Sequence, residues 1–114
     1  MKTLDDVKLS DNERASIIKA ARVLKAGLPV SRVILFGSKA RGDAEPDSDI
    51  DLLVLTSCPV TTELRYEITQ SFFDISLERD VSLSRIVVSE DDWLNGLIRY
   101  MPIHDNIEKE GCAI

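Results

Sequence analysis

The chain has 114 residues, 44% hydrophobic and 30% charged, with a net charge of −6; it suits one domain, residues 1–114, burying roughly two-thirds of its unfolded surface without staples. That charge argues against direct nucleic-acid or anionic-membrane binding, and His104, the single histidine, excludes zinc sites built on several. No apolar run approaches the ~20 residues that cross a bilayer, no signal-peptide segment opens the chain, and Cys58 and Cys112 make no CxxC pair or dense framework, so a cytoplasmic protein with reduced thiols is expected.

In chain order, Ser10-Asp11-Asn12-Glu13 reads as a capping box. Ile17, Ile18, Ala21, Leu24 and Leu28 then recur at helical spacing, and Gly27 and Pro29 close a helix over about residues 11–26. Arg32 to Phe36 is short, β-branched and bounded by Gly37, the pattern of a strand. Ile50 to Leu55 is apolar at both parities, which predicts a central strand covered on both faces. Thr62 to Arg79 predicts a helix with Leu64, Ile68, Phe72 and Ile75 on its apolar stripe. A third strand is expected over about Val81–Val88, then a helix capped by Ser89 that runs through Trp93 and Ile98, and a last short helix from Pro102 to Gly111. Trp93 and Tyr100 read as core or interface anchors. One of Phe72 and Phe73 should face the core, and His104 should lie on the surface.

This order predicts an α/β fold: a small mixed sheet flanked by helices. The first two strands must run antiparallel if the end of one and the start of the next build a common site. The helix between the second and third suits a right-handed parallel crossover.

The chemistry concentrates in VILFGSKARGDAEPDSDIDLLVL, residues 33–55. A glycine directly after a strand lets a phosphate approach, and a helical turn at Lys39–Arg41 would make an anion nest. Arg41 can bind phosphate oxygens bidentately. Asp49 and Asp51, at i and i+2 on a strand, point to one side. At about 5 Å and an effective dielectric near 20 they repel by roughly 3 kcal/mol. Either the site is open to water or something compensates that repulsion; divalent cations can, because Mg²⁺ takes one or two carboxylates plus substrate phosphates, and two ions can clamp an in-line displacement.

Gly37-Ser38, ten residues, then Asp49-Ile50-Asp51, with Arg41-Gly42 and Ser48 inside the interval, resembles the DNA polymerase β-like nucleotidyltransferases, in particular the minimal nucleotidyltransferase (MNT) branch. The resemblance implies a polymerase β-like fold, ATP or another NTP as donor, and two Mg²⁺ ions, with Mn²⁺ as an alternative. It places Gly37, Ser38, Arg41 and Ser48 at the nucleotide, and Asp49 and Asp51 at the metals. It further implies transfer of an NMP, AMP foremost, to a hydroxyl on a HEPN-type helical partner protein, with this chain as antitoxin; homo-oligomers also fit so small a domain. The family's third carboxylate falls at Ser82 here, and Asp80, two residues earlier and roughly 6.6 Å along a strand, is the candidate catalytic substitute. Ser82 also motivates a second reading: a nucleotidyltransferase-fold binding module that neutralises or scaffolds a partner without chemistry.

Overall fold

A computed structural model describes all 114 residues. A short β1 (Lys2–Thr3) precedes α1 (Asp11–Gly27), β2 (Val30–Phe36), the single turn α2 (Ser38–Arg41), β3 (Ile50–Thr56) and α3 (Thr62–Arg79). Then come β4 (Leu83–Ser89), α4 (Glu90–Asn95), a 3-10 turn over Leu97–Tyr100, α5 (Pro102–Glu110) and β5 (Cys112–Ala113). The strands form one mixed sheet in the order β1-β5-β2-β3-β4. As the sequence predicts, β2 and β3 are antiparallel, and β3 and β4 are parallel across the α3 crossover.

The capping box forms as read. Glu13 N–H donates to Ser10 Oγ at 3.1 Å, and Ser10 N–H donates to Glu13 Oε1 at 2.8 Å, pairing two amides that the helix itself leaves without acceptors. Leu52 and Val54 of β3 pack with Ile17 and Leu24 of α1 and with Ile68 and Phe72 of α3. Leu53 and Leu55, on the opposite face, pack with Ile34, Trp93 of α4 and Ile107 of α5. Each such buried side chain contributes about 1.5–3 kcal/mol. β3 therefore sits between two helical layers, and Asp51 is its one residue that is not fully buried.

Four expectations change. The third strand begins at Leu83 rather than Val81, because Asp80 adopts a left-handed conformation (φ 53°, ψ 51°) and ends α3 as its C-cap. Asp80 is thus not two residues back on a strand face. The helix after Ser89 stops at Asn95, because Gly96 is extended (φ −83°, ψ −175°) and resets the chain into the 3-10 turn. That turn leaves Tyr100 83% exposed while Trp93 is 1% exposed. Finally, His104 is buried rather than on the surface: its ring stacks on Trp93 with centroids 4.3 Å apart. Neither ring nitrogen has a hydrogen-bond partner, and the Asp105 carboxylate, 3.5 Å from Nδ1, makes only a long electrostatic contact. Phe72 faces the core and Phe73 solvent.

Candidate active site

The β2–β3 pair brings the two halves of the motif together. Phe36 lies opposite Asp51 in the ladder, so Gly37 leaves the sheet beside the Asp51 carboxylate. Gly37 has φ 75° and ψ −157°, a region essentially restricted to glycine. A Cβ there would stand 2.4 Å from Asp51 Oδ2. The glycine therefore serves both the turn and the close approach.

From Gly37 the chain winds directly into α2, the helical turn expected at Lys39–Arg41. Ala40 and Arg41 N–H donate to the Gly37 carbonyl at 3.1 and 3.0 Å, while the Ser38 and Lys39 amides, first in the turn, have no acceptor within it. Gly42, with φ 87°, closes the turn. Lys39 points away from the site: it is 6% exposed, and its Nζ lies 2.6 Å from Glu13 Oε2. Burial pushes the Glu13 carboxyl up, but hydrogen bonds from Lys39 and the Ser10 amide, with the Lys39 charge, outweigh it and hold the group below its usual range.

Asp49 and Asp51 share the sheet face of Leu53 and Leu55. The parallel partner strand and the residue just before it supply hydroxyls to that face: Ser82 Oγ, one residue ahead of β4, donates to Asp49 Oδ1 at 2.7 Å, and Ser84 of β4 lies opposite Asp51. Burial raises the Asp51 pKa and the Asp49 charge adds to the rise, while the Ser84 hydroxyl and the Arg41 guanidinium oppose it. Arg41 is ion-paired to Asp43 (3.2 Å) and to Glu110 of α5 (3.4 Å). Ser48 closes a turn through its N–H to the Glu45 carbonyl, 3.0 Å, ahead of Asp49.

Gly37, Ser38, Arg41, Asp49 and Asp51 thus converge. Asp80 does not join the carboxylate pair; it lines a separate cleft of about 590 Å³ with Ser48, Ser82 and Lys39, to which neither Asp49 nor Asp51 contributes a wall. No group of three or more His, Cys, Asp or Glu comes together to hold an ion. The donor set is two carboxylates facing a glycine turn that a side chain would fill. This fits a hard divalent cation shared with phosphate oxygens, which requires few protein ligands. Sequence reasoning missed Ser84, Asn106 and Glu110 around the site. The alternation Ser82-x-Ser84, matching Asp49-x-Asp51, was the available signal for the first; the other two reach the site only through tertiary packing.

Comparisons with known proteins agree with this geometry. Residues 17–109 match the nucleotidyltransferase domain family model. A Methanocaldococcus jannaschii protein named as a candidate protein adenylyltransferase, MJ0141, is 40% identical over 58 residues, a match spanning 51% of this chain and 59% of that one. Among solved structures, a candidate minimal nucleotidyltransferase superposes with a TM-score of 0.58 at 27% identity, covering 92% of this chain and 95% of that one. A chain of a toxin–antitoxin complex with AMP-PNP gives 0.58 at 20% identity, covering 91% and 72%. A chain from a complex of a tri-AMPylated Shewanella oneidensis HEPN toxin with its MNT antitoxin gives 0.55 at 17%, covering 89% and 70%; these last two are likenesses of fold. The matched segment takes in α2 and the whole strand–turn–strand site, and the chain belongs to the nucleotidyltransferase domain family.

Proposed function

We propose that this chain transfers AMP from ATP to a hydroxyl on a partner protein, releasing pyrophosphate, and that the partner is a helical HEPN-type toxin which the transfer silences. The observation that carries the reading is the Asp51 carboxylate packed over Gly37, with Asp49 beside it and the α2 turn opposite. In that arrangement the Ser38 and Lys39 amides and the Arg41 guanidinium bind the triphosphate, with Ser48 ordering the loop ahead of Asp49. Asp49 and Asp51 hold divalent cation, Mg²⁺ or Mn²⁺, which supplies charge neutralisation at the phosphates when bound. The acceptor hydroxyl forms the new bond to the α-phosphorus as the bridge to the β-phosphate breaks. With Ser84 facing Asp51 across the ladder, Ser82 just ahead of β4 and Asp80 capping α3, the reading has no third carboxylate beside the pair. We assign the hydroxyl proton to a base of the acceptor.

The support from relatives is the named adenylyltransferase and the AMPylated HEPN complex, both statements about those proteins. Incubation of the chain with ATP labelled at the α-phosphate, Mg²⁺ and a helical partner should label the partner. Equal labelling by the Asp49→Asn/Asp51→Asn double variant would sink the reading.

Ser82, bonded to Asp49 where a carboxylate is expected, favours a second reading in which the domain only binds and neutralises. That version predicts full neutralisation by the same double variant.

A further inference from the structure

Between α2 and α5 lies a pocket of about 200 Å³. Phe36 and Gly37 form one wall, and Ile103 and Ile107 of α5 the other, so its lining is apolar at the base. Asn106 stands at its rim and is exposed. The Arg41–Glu110 ion pair joins α2 to α5 at the same rim.

Two relationships connect this pocket to the reactive carboxylates. Gly37 is the residue over which Asp51 Oδ2 packs, and Phe36 lies opposite Asp51 in the ladder, so ring and carboxylate share one sheet face. A phosphate chain held at Gly37–Ser38 therefore has the pocket as its immediate neighbour. The volume falls below the roughly 300–1,000 Å³ of pockets that take a whole ligand, and suits one planar ring system. Of the three polar side chains at its mouth, Arg41 and Glu110 pair with each other, which leaves Asn106 to orient a ring over the apolar base.

The Asn side chain presents one acceptor oxygen and one donor NH₂. That pair matches adenine, whose N6 donates and N7 accepts along one edge, whereas guanine presents two acceptors there and leaves the amide oxygen opposed. We propose that this pocket is the nucleobase subsite, with Phe36 and Ile103 against the ring and Asn106 selecting adenine. The assignment rests on the nucleotide reading of Gly37–Ser38 given above and adds the residue that sets base preference.

The test is equilibrium competition of ATP, GTP, CTP, UTP and inorganic tripolyphosphate against a fluorescent ATP analogue, with Mg²⁺ and the full chain. Wild type should prefer ATP over GTP by at least about fivefold. Asn106→Leu should flatten that preference, and Ile103→Trp, which fills the pocket, should weaken all four nucleotides; both should leave tripolyphosphate affinity unchanged. Both sites are at least partly exposed, and thermal melting checks that each variant folds. An unchanged ATP:GTP ratio in Asn106→Leu overturns the subsite while leaving the phosphate site standing. Absence of tripolyphosphate binding in wild type overturns the nucleotide reading itself, and the subsite with it.

Discussion

Ser82 Oγ donates a 2.7 Å hydrogen bond to Asp49 Oδ1, so a neutral hydroxyl, one residue ahead of β4, stands where the family resemblance implies a third carboxylate. A hydroxyl stabilises Asp49 without adding charge, and it cannot serve as a base. Ser82→Asp places a third carboxylate beside Asp49. Without metal it should destabilise the fold by about 3–4 kcal/mol, the repulsion of two charges near 4 Å at an effective dielectric of about 20. Added Mg²⁺ should restore the melting temperature, and transferase activity should rise at least about tenfold, within the range of a positioned general base. A variant no more active than wild type would show that proton removal does not limit the reaction.

The Gly37 geometry gives a second expectation. Gly37→Ala forces a side chain into a glycine-only region and against the Asp51 carboxylate. It should cost about 1–3 kcal/mol of stability in urea unfolding and abolish detectable AMP transfer, because the carboxylate must move. Gly27, around which a Cβ meets nothing within 4 Å, is the control: Gly27→Ala should leave transfer unchanged.

Asp51 makes stability depend on pH. Its folded pKa lies above the usual 3.8, chiefly through burial. The ionised form is therefore disfavoured in the fold: the penalty is absent below the usual value, grows as pH rises through the folded pKa, and is complete above it. In metal-free buffer Asp51→Asn should melt above wild type at pH 7.5, with the gain shrinking as pH falls towards 4. Mg²⁺ with nucleotide should raise wild type and leave Asp51→Asn where it was. A melting temperature below wild type at pH 7.5 would contradict the assignment.

Glu13 and Lys39 run the opposite way. The Glu13 carboxyl lies below its usual 4.5, so its contribution is present above that value and lost as pH falls through the folded pKa. Lys39→Met leaves the partly buried carboxylate with only the Ser10 cap and should cost about 1.5–3 kcal/mol at pH 7, with the deficit narrowing in acid. Stability equal to wild type at pH 7 would show that the pair contributes nothing net.

How far the sequence reached is clearest from particular residues. β3 was legible because a run apolar at both parities has no stable place except between two layers, and DxD at its start could then point only to one face. The antiparallel β2–β3 pairing followed from requiring Gly37-Ser38 and Asp49-x-Asp51 to meet. Asp80 was misplaced because Asp80-Val81-Ser82-Leu83-Ser84 alternates like a strand, whereas a single left-handed residue absorbs the turn out of α3; aspartate tolerates that conformation. His104 was misjudged because its neighbour is Trp93 of a different element, and no local pattern encodes that stack. The Arg41–Glu110 contact, 69 residues apart in sequence, is equally invisible before α5 is docked.

AMP transfer to a partner is read directly from the intact mass of a HEPN-type partner after incubation with this chain, ATP and Mg²⁺. Transfer predicts increments of one AMP per modified hydroxyl, absent when Asp49→Asn/Asp51→Asn replaces wild type and absent without divalent cation. A partner that is neutralised while its mass stays unchanged would contradict transfer and leave binding alone as the function.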